Sequence, residues 1–225
     1  MSDKLVLYNA PVCPYAQRAY IALKEVGAEF DVVNIDLLNK PDWYKDVNPE
    51  LKVPVLATEG QNLAESLVIV EYINDRFPEK NLLPKEPIKR ANIRFVIEYF
   101  ASKVAPEFYK LLVNFKAENA KADYEKNLNT ALVRLDELLK QQSATGPYFL
   151  GEQFSLADVA IAPFVIRIHT INQTLLNGLE LETVKSSPRL TEFIKALIAR
   201  PSVQETWIGD KELVTFLQKR FIDKE

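Results

Sequence analysis

A single cysteine in 225 residues rules out an intramolecular disulfide, and with it the secreted disulfide scaffold. One histidine beside that one cysteine falls short of any standard zinc ligand set. Glycine is scarce, at six residues, and no glycine-rich loop is available to cradle a phosphate. Excess positive charge is missing too. Lys and Arg number 28 against 31 Asp and Glu, so the chain lacks the electrostatic footprint of a nucleic-acid or anionic-lipid binder. No apolar run nears the roughly 18 residues of a membrane span. The opening MSDKLVLYN is too short and too soon polar for a signal peptide. The expectation is a soluble, cytoplasmic, metal-free protein.

An apolar share of 48% with 26% charged residues is ordinary for a globular chain, and the length allows one or two domains. Leu5 to Tyr8 reads as a strand. From Pro14 to Val26, Ala19, Ala22, Leu23 and Val26 share one helical face, and Gly27 supplies a stop. EFDVVNIDL alternates as a second strand, so the opening is a βαβ unit with parallel strands. A polar stretch with one short helix follows, then a hairpin in VPVLATEGQNLA turning at Gly60. Ser66 caps a helix whose apolar side carries Val68, Ile69, Tyr72 and Ile73.

FPEKNLLPKEP, with three prolines, reads as a linker, and no convincing strand comes after it. Ala91 to Lys116 is one long helical pattern broken or kinked at Pro106. Tyr124 to Gln142 carries Leu128, Leu132, Leu135 and Leu139 at helical spacing, and an apolar helix follows FSLAD. Pro188 and Pro201 open further helices. The reading is a mixed domain over residues 1–77, a linker over 78–87 and an all-helical domain over 88–225.

The lone thiol sits between the first strand and the first helix. Pro14 takes the first helical position, where a missing N–H costs nothing, so Cys13 is the N-cap. Open N–H groups and the positive end of the helix dipole favour a thiolate there, and the thiolate is the reactive form. The bland reading is a small apolar filler; the strand–Cys–Pro–helix setting favours a functional thiol. Position 16 is Ala, so no CxxC dithiol exists to resolve a mixed disulfide. An external small thiol has to do it.

The run CPYAQRAYIALKEVGAEFDVVNIDLLNKPDWYKDVNPELKVPVL, followed by ESLVIVEYI, resembles the glutathione-binding half of the glutathione transferases. The CP-aromatic-A start and the NKPxW loop are most similar to the omega class, which uses cysteine. The resemblance implies an α/β thioredoxin-like N-terminal domain (βαβ-ββα), then an all-α C-terminal domain holding a second-substrate pocket. It implies glutathione as co-substrate and Cys13 as the catalytic thiol, forming a mixed disulfide with glutathione. Deglutathionylation and dehydroascorbate reduction are the implied activities. Sequence alone favours a trans bond before Pro54, since X–Pro bonds are cis only about 5% of the time; the resemblance makes it cis. It also implies that the Val53 backbone pairs with the cysteinyl segment of glutathione. Glu65 and Ser66 would hold the γ-glutamyl end, and Lys40 would reach the glycyl carboxylate. Tyr15 and Leu37 would line the site. Taken singly, Ser66 is a cap, Glu65 a solvated turn residue and Lys40 a surface lysine. The family also implies a homodimer.

Ser155 and Asp158 in FSLAD form a capping box, with Phe154 and Val159 as its staple, so Asp158 is structural and not a catalytic acid. His169 reads as a packed or surface histidine, Tyr8 as packing, and Trp43 and Trp207 as core or interface. Two alternatives stay open: conventional glutathione conjugation, with Tyr8 or a serine activating the thiol, and a non-catalytic ligand- or protein-binding module. A membrane-inserting relative fits poorly, because Gln17, Arg18, Lys24 and Glu25 make the first helix polar.

Overall fold

The computed structural model describes residues 4–223. They divide into two units: residues up to Pro84 together with Pro201–Trp207, and Lys85–Arg200 with the residues from Ile208 on.

In the first unit, β1 (Leu5–Asn9) leads through α1 (Pro14–Val26) to β2 (Phe30–Asn34), and α2 (Tyr44–Val47) precedes the hairpin of β3 (Val55–Thr58) and β4 (Gln61–Ala64). The sheet order is β2-β1-β3-β4. β1 pairs parallel to β2, with Leu7 opposite Val32, and antiparallel to β3, with Leu7 opposite Leu56. The hairpin turns through Glu59 and Gly60, both at positive φ, a backbone that matches the twist of the flanking strands. The apolar stripe expected on α1 is buried. Its C-cap Gly27 takes the left-handed conformation (φ 68°), its N–H reaching the carbonyls of Leu23 and Lys24, as helix ends favour.

α3 (Ser66–Arg76) completes the βαβ-ββα order, with two differences from the sequence reading. Glu65 is the N-cap, and Ser66 is the first helical residue rather than the cap; β4 ends at Ala64, so the chain turns into the helix one residue early. Val68 is 57% exposed, because the buried stripe runs through Ser66, Ile69, Val70 and Ile73 and leaves position 68 off it.

A 3-10 turn follows at Pro78–Lys80. The second unit is helical: α4 (Pro87–Tyr99), α5 (Ala105–Val113), α6 (Ala120–Gln142), α7 (Leu156–Thr174), α8 (Glu182–Ser186) and α9 (Pro188–Ala199), with α11 (Asp210–Leu217) after the intervening α10 (Pro201–Glu205). Between α4 and α5 the chain makes a π-helical turn, Phe100–Val104. Pro106 has no N–H to offer the carbonyl of Ser102, so the ladder changes step just before it. The expected break is therefore a local widening, and the helical path starts four residues earlier than the pattern placed it, as does α6. α7 opens on the expected capping box, and Phe154 and Val159 are both buried. No described helix is long and apolar enough to cross a membrane.

α10 packs with the first unit. The buried Gln17 amide donates to the Val203 carbonyl at 3.4 Å and to the Thr206 hydroxyl at 3.2 Å. Lys24 pairs with Glu205 at 3.1 Å, and Ser202 donates to Glu25. α1, the helix that Cys13 caps, is thus held along its polar face as well as its apolar one.

Candidate active site

Cys13 is the N-cap of α1, with Pro14 next to it. Its N–H donates to the Ala10 carbonyl at 2.8 Å, and its own carbonyl accepts the Gln17 N–H at 3.1 Å. The backbone on both sides of the thiol is therefore fixed. The half-buried sulfur lies 4.0 Å from the Val53 carbonyl oxygen, and the Val53–Pro54 bond is cis.

The loop carrying Val53 is anchored one residue earlier. The Lys52 carbonyl accepts from the Tyr44 hydroxyl at 2.8 Å and from the Asn48 amide at 2.9 Å. Tyr44 is fully buried, packed against the Tyr8 and Trp43 rings at 5.9 and 6.0 Å between centroids. Burial, with Tyr8 and Cys13 adding, pushes its hydroxyl up to about 12, so it remains a hydrogen-bond donor across the physiological range. Among the described residues no protein acceptor takes the Val53 N–H.

Cys13, Tyr15, Leu37, Lys40, Val53, Pro54, Glu65 and Ser66 line one cavity of about 460 Å³. All eight residues that the sequence reading put forward as a site meet here. Asn48, Glu50, Leu51, Lys52 and Ala64 complete the walls; that reading did not single them out. Tyr44, Asn48, Glu50 and Lys52 lay within a stretch read only as polar and turn-forming with one short helix. Only the proximity of the stretch to Val53 hinted at their place.

The charges within the cavity are arranged by the fold. Glu65, at φ 68°, precedes α3, whose first intrahelical bond is Ile69 N–H to the Glu65 carbonyl at 3.0 Å. The N–H groups of Ser66, Leu67 and Val68 come before that bond, and they form the positive end of the helix. Behind Ser66 lies buried Arg18, which donates to the Ser66 hydroxyl at 3.3 Å and stacks 5.2 Å from the Tyr15 ring centroid. Sequence reasoning assigned Arg18 only to the polar surface of α1. Hydrogen bonding to Glu50, then the charge of Glu50, holds the Lys52 ammonium above its ordinary value, and Glu65 adds to this. The cavity thus gathers a carboxylate, a helix N-terminus, the lysines Lys40 and Lys52, an open backbone N–H and a thiol.

Tyr8 is not among the cavity's walls; it packs on Trp43 and Tyr44. Trp43 itself is 47% exposed, so it is not a core residue. His169 is exposed on α7. Asp158 is buried in the capping box.

Residues 7–81 match the family model described as glutathione S-transferase, N-terminal domain, and residues 95–206 that of the C-terminal domain. The chain belongs to the glutathione S-transferase family. It is 34% identical to glutathione S-transferase omega-1 of Sus scrofa over 215 residues, covering 93% of this chain and 83% of the relative. It is 33% identical to glutathione S-transferase L3 of Arabidopsis thaliana, covering 96% and 87%. Among solved structures, glutathione transferase Omega 2C from Trametes versicolor superposes with a TM-score of 0.80 at 33% identity, covering 98% of this chain and all of that one. This glutathione transferase is thus an enzyme-family member most similar to the omega class. Its first unit has the thioredoxin-like fold, and glutathione is the family's co-substrate.

Proposed function

We propose that this glutathione transferase is a thiol transferase whose Cys13 carries a glutathionyl group between two thiols. The observation that carries the reading is the placement of the chain's one cysteine. It is the N-cap of α1, in the wall of a cavity whose other walls suit a charged tripeptide. In that cavity Val53 would pair its backbone with the cysteinyl residue of glutathione, Glu65 would meet the γ-glutamyl ammonium, and Ser66 with the α3 N-terminus would receive the adjoining carboxylate. Lys40 would reach the glycyl carboxylate, with Tyr15, Leu37 and Pro54 shaping the walls.

The cycle balances without a second cysteine. The Cys13 thiolate attacks the glutathionyl sulfur of a mixed disulfide; a Cys13–glutathione disulfide forms, and the other thiol leaves as thiolate and takes up a proton. The thiolate of a second glutathione then attacks the glutathionyl sulfur, giving oxidised glutathione and restoring the Cys13 thiolate. Glutathionylated thiols are the substrates of this cycle, and a glutathione–ketone adduct enters it the same way, its enolate leaving in place of a thiolate and taking up a proton. Dehydroascorbate would enter by addition of the Cys13 thiolate to a carbonyl; a glutathione thiolate then attacks the Cys13 sulfur, the carbon–sulfur bond breaks, ascorbate leaves and the same Cys13–glutathione disulfide remains.

Because the chain has one cysteine, intact mass reads the proposed intermediate directly. Native protein treated with oxidised glutathione near neutral pH should gain one glutathionyl group, and excess reduced glutathione should remove it. A native protein that stays unmodified until it is unfolded overturns the reading in favour of conjugation or binding alone.

A further inference from the structure

Gln17 takes part in α1 twice. Its N–H donates to the Cys13 carbonyl at 3.1 Å, the bond that closes the first turn of the helix around the thiol. Its side chain is buried, at 2% exposure, and its amide donates to α10, to the Val203 carbonyl at 3.4 Å and the Thr206 hydroxyl at 3.2 Å. The Thr206 hydroxyl gives its own hydrogen to the Ser202 carbonyl at 2.8 Å, so toward Gln17 it is an acceptor. A buried amide loses much when its partners go, which makes this a firm tether. It ties the turn beneath Cys13 to a segment 186 residues later in the chain.

The bland reading is a buried glutamine that only satisfies polar groups between two helices. Its place in the helix argues for more. Pro14 has no N–H, so the first-turn donors that can face the Cys13 sulfur are those of Tyr15 and Ala16. The Cys13 side chain makes no cap hydrogen bond of its own, so the turn is not locked from that end. Helix-end effects fall off within one turn. The other ties between α1 and α10, Lys24 with Glu205 and Ser202 with Glu25, lie near the far end of α1, beyond that range. Gln17 lies inside it. We propose that Gln17 is a positioning residue, through which α10 holds the first turn of α1 with its N–H groups directed at the Cys13 sulfur. The inference rests on the thiol-transferase reading of Cys13.

With one cysteine in the chain, alkylation of the native protein by iodoacetamide, followed by intact mass from about pH 4 to about pH 9, reads the thiolate directly. Gln17→Met keeps the length of the side chain and cannot donate. It should move the midpoint of the rate profile to higher pH and cut the rate on its acid side about two- to fivefold, the weight of one helix-end interaction. The plateau at high pH, where the thiol is fully ionised, should not fall. Thr206→Val removes one acceptor without touching α1 and should move the midpoint the same way; the double variant should match Gln17→Met. Glu205→Gln breaks the pair with Lys24 and should leave the midpoint in place. Tyr15, Lys40, Glu50, Lys52 and Glu65 share the cavity of the thiol, and the Tyr44 hydroxyl responds to its charge; none is altered in these variants. A midpoint unmoved in folded Gln17→Met, or in Thr206→Val should the first not fold, overturns the positioning role and leaves the thiol-transferase reading standing. An equal move in Glu205→Gln does the same, since docking of α10 at any point would then suffice. A wild-type thiol that stays unalkylated until the protein unfolds overturns both.

Discussion

The sulfur of Cys13 lies 4.0 Å from the carbonyl oxygen of Val53, so the thiol stands beside a stretch of backbone whose N–H is open for a strand-like partner. A glutathione paired with Val53 would bring its own sulfur to the thiol. Cys13→Ser should therefore reduce thiol-transferase turnover to the uncatalysed background, since an alcohol cannot form the mixed disulfide. Weak conjugation can survive, because a hydroxyl can donate to a bound glutathione thiolate. Undiminished turnover in a coupled thiol-transferase assay would reject Cys13 as the carrier.

Val53 is held through its neighbour, which makes Tyr44 a positioning residue. Tyr44→Phe removes one of the two hydrogen bonds to the Lys52 carbonyl and leaves that of Asn48. A lost bond of this kind is worth about 1 kcal/mol, or about fivefold in affinity if it falls on glutathione binding. The expected result is a several-fold higher KM for glutathione with kcat little changed. A variant that is less stable but keeps the wild-type KM would show that the bond supports the fold alone.

Glu65→Ala tests the other side of the cavity. Truncating one partner of a desolvated charge pair costs about 2–5 kcal/mol, which is at least about 30-fold in the dissociation constant. Glu65 is exposed without the ligand, so folding stability should hardly move. Titration calorimetry separates the two, and unchanged affinity would mean the γ-glutamyl end binds elsewhere.

Much of the site could be read from sequence because its parts are local. Cys13 and Pro14, Val53 and Pro54, and Glu65 and Ser66 are adjacent pairs at element ends, where capping and turn chemistry leave a mark. Even there the detail slipped: Ser66 is the first helical residue and Glu65 the cap. Tyr44, Asn48 and Arg18 were not legible as parts of the site, since each acts through a contact that only the folded chain makes. The same holds for Pro201–Trp207. Pro201 marked a helix start, yet nothing local told that this segment bonds to Gln17, 186 residues earlier. Val68 fitted an apolar pattern and still faces solvent, because a six-residue pattern leaves the helical phase loose.

The family expectation of a homodimer can be tested on α4. Ile88 and Phe95 are 69% and 53% exposed and lie seven residues apart, on one side of that helix. Large exposed apolar side chains so placed suit a partner surface. Sedimentation at micromolar concentration should give about twice the 25.7 kDa chain mass. Phe95→Glu should shift the species toward one chain while leaving helical content intact. A wild-type monomer removes the dimer without touching the chemistry at Cys13.

The capping box of α7 gives the protein a pH dependence of its own. Asp158 is fully buried; it accepts from the Ser155 N–H and hydroxyl, both at 2.7 Å, and from the Phe149 N–H at 2.9 Å. Burial raises its carboxyl from 3.8 to about 6, against the pull of those hydrogen bonds. A carboxyl that binds its proton more tightly in the folded chain adds most to stability when protonated in both states. That contribution is complete below the unfolded value of 3.8 and is lost as pH rises through about 6. A rise of that size corresponds to about 3 kcal/mol. Asp158→Asn cannot titrate, so its own stability does not follow this change, and because its amide nitrogen faces donors it should be the less stable protein by about 1–3 kcal/mol at about pH 4. Denaturant melts of both proteins at about pH 4 and about pH 7 should therefore show a gap in stability that narrows as pH rises. A gap that widens instead would mean the donated hydrogen bonds outweigh burial, and that the box prefers the carboxylate.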